Sequence, residues 1–205
     1  MGRVRGKDWM KEHVADRYVR RAQREGMRSR AAFKLEQIAE RDRLLMPGMT
    51  VVDLGAAPGG WSQVAAKRVG PGGRVIALDI LDMVSLPGVT FVSGDFHEEA
   101  TVEALERALE GRGVDLVLCD LAPNLSGVKS SDQARMIELA ERALQFAVNH
   151  LKPQGNFLVK LFHGSGFDGF VRRMQEHFRG VVTRKPDASR SRSSEVYLLG
   201  RGCRP

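Results

Sequence analysis

The sequence predicts an α/β fold: a seven-stranded, mainly parallel sheet with helices on both faces and one antiparallel edge strand. Three observations predict it. Short apolar runs alternate with stretches of helical periodicity from Thr50 to Leu199. A glycine-rich turn, Gly55-Ala-Ala-Pro-Gly-Gly60, follows the first run, at the edge where a parallel sheet places its ligand site. The last two runs are joined too closely for a helical crossover, so they should pair as an antiparallel hairpin.

Residues 1–28 are polar and basic, with Trp9 and Tyr18 interspersed, and read as a partly ordered arm; residues 29–205 read as a single domain. Ser29 is a candidate N-cap for a helix through about Leu45, with Ala32, Leu35, Ile38 and Ala39 at helical spacing and Pro47-Gly48 stopping it. Thr50–Leu54 is a short buried strand, and after the glycine turn a helix runs from Trp61 to Val69 until Gly70-Pro-Gly-Gly73 ends it. Arg74–Asp79 and Val89–Ser93 are the second and third strands, followed by a helix over 98–110. Val114–Asp120 is the fourth strand, Ser131–Leu151 a long amphipathic helix and Gly155–Phe162 the fifth strand. A helix over 167–178 leads to two closing strands near Val181–Arg184 and Glu195–Leu199, which flank a Ser/Arg-rich loop. No internal repeat is present.

Bulk properties exclude several function classes. No apolar run approaches the ~20 residues of a membrane span. The first residues carry neither the apolar stretch of a secretory signal nor, with Gly6 at the sixth position, a myristoylation signal. Two cysteines, Cys119 and Cys203, sit in no metal or redox spacing, and the five histidines form no ligand pair. A reducing, cytoplasmic setting, a monomer and no metal are the resulting expectations. Net charge is +7 and localised: residues 1–34 hold eleven Lys/Arg against four acids, and the rest of the chain balances. Such a stretch fits a polyanion binder, whose cations release counterions from phosphates; a solvated basic tail is the alternative.

The turn after the first strand departs from the dinucleotide pattern G-x-G-x-x-G, because Ala57 replaces the second glycine and Pro58 follows. Proline removes a backbone N–H where a pyrophosphate would want donors. The turn therefore suits a ligand without phosphates, such as S-adenosyl-L-methionine. Asp79 ends the second strand, where an acid accepts from ribose hydroxyls, and Asp95 follows the third, where it would take an adenine amino group. Singly each acid is as well read as a loop or cap residue; together at one sheet edge they point to a nucleoside. Asp53 is placed to buttress the turn from below.

Lys160 lies inside the apolar strand Phe157–Phe162, and lysine is almost never buried unless paired. Near the carboxyl end of that strand it points to the ligand crevice; snorkelling to solvent is the alternative. Asp120, at the end of the fourth strand, is positioned to pair with it. Lys34, on the first helix, and Glu195, opening the last strand, are unremarkable alone.

Seven stretches together resemble the FtsJ (RrmJ) family of ribosomal RNA 2′-O-methyltransferases: Arg28-Ser-Arg-Ala-Ala-Phe-Lys34, Asp53–Trp61, Asp79–Met83, Gly94-Asp95-Phe96, Asp120–Gly127, Val159–Phe162 and Ser189–Tyr197. The resemblance runs from about residue 27 to 200. It implies a Rossmann-like S-adenosylmethionine methyltransferase fold. It also implies a Lys-Asp-Lys-Glu tetrad at Lys34, Asp120, Lys160 and Glu195. The cofactor would lie against Gly55, Ala56, Pro58, Gly59, Gly60 and Trp61, with Asp79, Asp95 and Asp120. The implied substrate is a uridine in the A loop of 23S ribosomal RNA, within the large ribosomal subunit. Leu121, where methionine is common, and Met27, aromatic in some relatives, depart from the pattern; the second leaves substrate fit near Met27 open.

The expected mechanism rests on Lys160. Lys34, as a second nearby cation, and desolvation are expected to lower its pKa, so that it accepts the hydroxyl proton or orients the oxygen. Asp120 would position it. Phosphates would be gripped by the arm, including Arg28 and Arg30, and by the loop with Arg190 and Arg192, the latter otherwise a flexible linker. A nicotinamide oxidoreductase, a non-catalytic RNA-binding protein, a tRNA or messenger-cap 2′-O-methyltransferase and a base methyltransferase are the rivals. Carbon methylation of a pyrimidine would need a nucleophilic cysteine, and Cys119 lies mid-strand.

Overall fold

The computed structural model describes residues 16–123, 126–190 and 193–205. Trp9, Arg192 and the arm cations Arg3 to Lys11 lie outside the described residues. The sheet is built from β1 (Thr50–Leu54), β2 (Arg74–Asp79), β3 (Val89–Ser93), β4 (Val114–Cys119), β5 (Leu151–Phe162), β6 (Phe178–Arg184) and β7 (Glu195–Cys203). Its helices are α1 (Arg17–Arg24), α2 (Ala31–Asp42), α3 (Gly60–Val69), α4 (Glu99–Leu109), α5 (Lys129–His150) and α6 (Phe167–His177).

The strand order is β3-β2-β1-β4-β5-β7-β6. Strands β1 to β5 pair in parallel, and β7 runs antiparallel to both its neighbours. The expected antiparallel hairpin of the last two strands lies at one edge, with β6 outermost and β7 one place in. The crossover through α6 carries the chain past one strand position, β6 takes the edge, and β7 returns into the gap. There it extends to Cys203, pairing with β5 on one side and β6 on the other. The order reverses between β1 and β4, the switch point beyond whose carboxyl ends such sheets open a crevice.

Strands β1, β2 and β4 are largely apolar because both their faces are covered. One core joins the sheet to α4, α5 and α6 through residues such as Leu105, Leu144, Phe170 and Met174. The other joins it to α2 and α3 through Leu35, Ile38, Trp61 and Val64.

Two features of the N-terminal region differ from expectation. Within the expected arm, residues 17–24 form a helix capped by Asp16, whose carboxylate accepts from the Tyr18 N–H at 2.9 Å. Tyr18 and Ala22, one turn apart, are buried against Phe33 and Ala188. Helix α2 is shorter than the predicted 29–45. Arg43 adopts a left-handed conformation (φ 52°) that ends it, and Ser29 makes no cap. Ser29 instead packs its hydroxyl against Gly60, where a Cβ would come within 2.3 Å of Oγ.

Candidate active site

The carboxyl ends of β1, β2, β3, β4 and β5 converge on one cavity of about 550 Å³. Its lining includes Gly55, Asp79, Asp95, Asp120 and Lys160. The apolar part of the wall includes Ile80, Leu81, Phe96, Leu121, Pro123 and Leu139.

Backbone geometry holds the acids in place. Gly55, with φ 81°, has no room for a side chain: a Cβ would meet the Leu121 nitrogen at 2.7 Å. That close approach brings the turn after β1 against Asp120. Asp79 Oδ2 accepts from the Ala57 N–H at 2.8 Å, and its Oδ1 accepts from Leu81 at 2.9 Å. Asp79 therefore couples the turn to the end of β2 while one side faces the cavity. Asp95 accepts from the backbone N–H of His97 at 2.9 Å, which with the His97 ring holds its carboxyl below the usual range. Asp53 is wholly buried and accepts from Ser62 Oγ at 2.6 Å, tying β1 to α3 beneath the turn. Burial, reinforced by the charges of Asp120 and Asp79, pushes its carboxyl up to about 7.

Lys160 is buried at 8% exposure, on the inner strand β5. Its Nζ donates to the Asp120 carbonyl at 2.8 Å and lies 2.8 Å from Asp120 Oδ1. The second contact is an ion pair rather than an aligned hydrogen bond, and among the described residues Oδ1 has no hydrogen-bond partner. Burial alone would lower the pKa of the ammonium. The close Asp120 carboxylate, and the more distant Glu195, outweigh that and carry it above the ordinary lysine value. The expected downward shift is thus reversed. Lys34 does not supply the repulsion, because its own charge is neutralised: Nζ lies 2.6 Å from Glu195 Oε1. Glu195, half-buried, is opposed by desolvation but held below the usual carboxylate range by Lys34.

The tetrad is therefore two ion pairs. Tyr197, to which the sequence reading gave no role, lies between them in the fold. It is the register partner of Lys160 across the β5–β7 ladder, and its hydroxyl donates to Glu195 Oε1 at 3.0 Å. The Lys34 ammonium lies 5.8 Å from its ring centre. The alternation of the last strand, with Glu195 and Tyr197 on one face, carried that signal.

Other expected residues are elsewhere. Ala56, Pro58, Gly59, Gly60 and Trp61 do not line the cavity. Trp61 is buried behind the turn, donating to the Ala31 carbonyl at 2.9 Å and packing 5.7 Å from the Tyr197 ring. Gly59 and Gly60 lack side chains because Arg28, Met83 and Ser29 occupy that space. Arg30 is engaged by the Asp16 carboxylate and the Ala188 carbonyl. Arg28 donates to backbone carbonyls. Arg190 sits 3.7 Å from Asp16 and is one-third exposed. Cys119 is buried, and desolvation pushes its thiol up to about 12, which removes a thiolate nucleophile at neutral pH.

The model of one family, described as FtsJ-like methyltransferase, matches residues 27–203. The chain belongs to that family. It is 63% identical over 194 residues to "Ribosomal RNA large subunit methyltransferase E" of Azoarcus sp. (strain BH72), covering 95% of each chain. It is 60% identical over 198 residues to the protein of the same name from Nitrosospira multiformis, covering 97% of this chain and 96% of the relative. A protein from Plasmodium falciparum assigned as a ribosomal RNA methyltransferase superposes with TM-score 0.77 at 26% identity, over 86% of this chain and 98% of that one. A Streptococcus mutans protein assigned as a methyltransferase and solved with SAH shares the fold at TM-score 0.51 and 12% identity. That match spans 78% of this chain and 90% of its own. The Rossmann-like methyltransferase fold follows from these likenesses and the strand order. Among the described residues, no helix is long and apolar enough to cross a membrane.

Proposed function

We propose that this family member transfers a methyl group from S-adenosylmethionine to a ribose 2′-hydroxyl of RNA, namely a uridine in the A loop of 23S ribosomal RNA in the large subunit. The observation that carries the proposal is the buried Lys160–Asp120 pair, at the wall of the cavity that Asp79 and Asp95 also line. The names of the relatives support the substrate, and the resemblance of the tetrad supports the position on the ribose.

The residues present fit the cofactor. Ribose hydroxyls, an adenine amine and an ammonium are donors, and Asp79, Asp95 and Asp120 provide acceptors. Ile80, Leu81, Phe96 and Leu121 offer apolar surface to a base. A pyrophosphate would instead meet several carboxylates, which argues against a dinucleotide. When bound, the cofactor supplies a methyl group already activated by a sulfonium. The remaining difficulty is the weak nucleophilicity and the alignment of the hydroxyl.

Lys160 is an ammonium at neutral pH, so its part is to orient rather than to take the proton. One of its three N–H bonds donates to the Asp120 carbonyl, which leaves a donor for a lone pair of the ribose oxygen. Asp120 Oδ1 is an acceptor without a hydrogen bond, 2.8 Å from the same nitrogen, and is the group assigned to receive the hydroxyl proton. Lys34 and Glu195 would support the other side of the ribose, with the buried Tyr197 holding Glu195 through its hydroxyl. Alignment of the two reacting atoms supplies much of the rate. The buried Cys119 disfavours carbon methylation of a pyrimidine. RNA would be held by the cations of the basic segment that precede Arg28 and by the loop carrying Arg190 and Arg192, with the enzyme a cytoplasmic monomer.

The test is transfer of tritiated methyl from S-adenosylmethionine to large ribosomal subunits lacking the modification, with free 23S RNA and tRNA in parallel. Nucleoside analysis should recover the label as 2′-O-methyluridine from the subunit. Label on a base, or transfer to tRNA alone, would overturn the assignment.

A further inference from the structure

Arg28 falls at the end of the basic stretch, yet its guanidinium is engaged by backbone carbonyls of the chain itself. Nη1 donates to the Pro58 carbonyl at 3.2 Å and to Val84 at 2.5 Å, and Nη2 donates to Ser85 at 2.8 Å. Three carbonyls from two separate segments thus share one cation. The backbone of Arg28 is anchored as firmly. Its N–H donates to Gln63 Oε1 at 3.0 Å, while Gln63 Nε2 donates back to the Gly26 carbonyl at 2.9 Å. The side chain then crosses over Gly59, where a Cβ would lie 3.0 Å from its Cδ and 2.8 Å from Met83 Sδ.

The segment it grips, 80–88, connects β2 to β3 and carries Ile80 and Leu81, which form part of the cavity wall. This connection is thinly anchored. Ile80, Leu81 and Val84 are 65%, 65% and 80% exposed. Two other hydrogen bonds within it are local, from Leu81 to Asp79 and from Val89 to Leu86. A flexible wall orders on ligand binding at a cost in affinity, and a strut that orders it beforehand lowers that cost.

We propose that Arg28 is a positioning residue for the cofactor: it latches the end of the basic N-terminal segment onto the 80–88 wall, so that affinity for the adenosyl ligand depends on it. The inference rests on the reading of the cavity as the cofactor site. It assigns Arg28 away from phosphate contact, because three of its five N–H donors, including both on Nη1, already face carbonyl groups.

The experiment uses the full chain and S-adenosylhomocysteine as the probe, titrated calorimetrically without RNA into wild type, Arg28→Ala and Arg28→Lys. Hydrogen exchange over 80–88 and affinity for large ribosomal subunits are measured on the same samples. The expected result is about tenfold weaker binding for Arg28→Ala, equivalent to about 1.4 kcal/mol. Exchange should be faster in 80–88 specifically, with subunit affinity within about twofold of wild type. Arg28→Lys, whose compact ammonium lacks the two separated nitrogens of the guanidinium fork, should weaken ligand binding by an intermediate factor, and it decides the matter if the alanine variant does not fold. Wild-type affinity in both folded variants, or in Arg28→Lys alone, would overturn the latch, as would loss of subunit affinity with ligand affinity intact. Failure of wild type to bind the probe would instead remove the underlying reading of the cavity.

Discussion

Replacing Asp53 by asparagine should change how stability depends on pH more than it changes the fold. Asp53 is fully buried and accepts one hydrogen bond from Ser62, and among the described residues its Oδ1 has no partner. Its carboxyl titrates at about 7, against an ordinary value of 3.8, because burial disfavours the charged form. A folded pKa above the unfolded one means the native state binds more protons between those values, so stability falls as pH rises through that window. Each pH unit is worth about 1.4 kcal/mol, so between pH 5 and 8 Asp53 removes about 3 kcal/mol. Asparagine keeps the shape and cannot ionise. The assay is scanning calorimetry of wild type and Asp53→Asn at pH 5, 6, 7 and 8. The difference between them should move in favour of the variant by about 3 kcal/mol across the series, or roughly 6–12 °C in Tm for a domain of this size. Curves that stay parallel would show that Asp53 does not titrate in this window and that the argument from burial is wrong.

Other expectations follow from contacts away from the cavity. Asp42, 2% exposed in its side chain, takes two 2.7 Å hydrogen bonds from Arg184 and a longer contact from Arg201, joining α2 to β6 and β7. Asp42→Ala should therefore destabilise by about 3–5 kcal/mol, since it leaves the largely buried Arg184 without its carboxylate; an unfolding free energy from urea titration within about 1 kcal/mol of wild type, the order of magnitude of a surface pair, would contradict this. Gly60→Ala should cost about 1–3 kcal/mol through its clash with Ser29 Oγ, and Ser29→Gly in the same chain should restore most of it; lack of rescue in thermal melts would assign the cost elsewhere. Cys119→Ala should retain methyl transfer within about threefold, the cost of a small cavity rather than of chemistry. Loss of turnover in a folded Cys119→Ala protein would reopen base methylation.

The strands were legible because β1, β2 and β4 are covered on both faces and so read as unbroken apolar runs. The glycine turn, the three acids and Lys160 were legible because their neighbours set their residue types apart. What escaped was whatever depended on a distant partner. Helix α1 shows only Tyr18 and Ala22 as apolar marks, and their partners Phe33 and Ala188 are far along the chain. The place of β7 inside the sheet follows from how far the α6 crossover carries β6, a tertiary matter. Gly59 and Gly60 look alike whether a ligand or another stretch of chain approaches them, and here the chain does. Arg28 and Arg30 read as phosphate contacts until their carbonyl and carboxylate partners are in view. Lys160 was misjudged for the same reason. Its repelling neighbour Lys34 is neutralised by Glu195, 161 positions away, which leaves Asp120 to dominate.

The most direct test replaces Lys160 by methionine and measures single-turnover methyl transfer to unmodified large subunits, alongside calorimetric binding of S-adenosylhomocysteine. Transfer should fall by at least about a thousandfold, a loss of about 4 kcal/mol in transition-state stabilisation, while ligand affinity stays within severalfold of wild type. Transfer near the wild-type rate in a folded Lys160→Met protein would contradict the account.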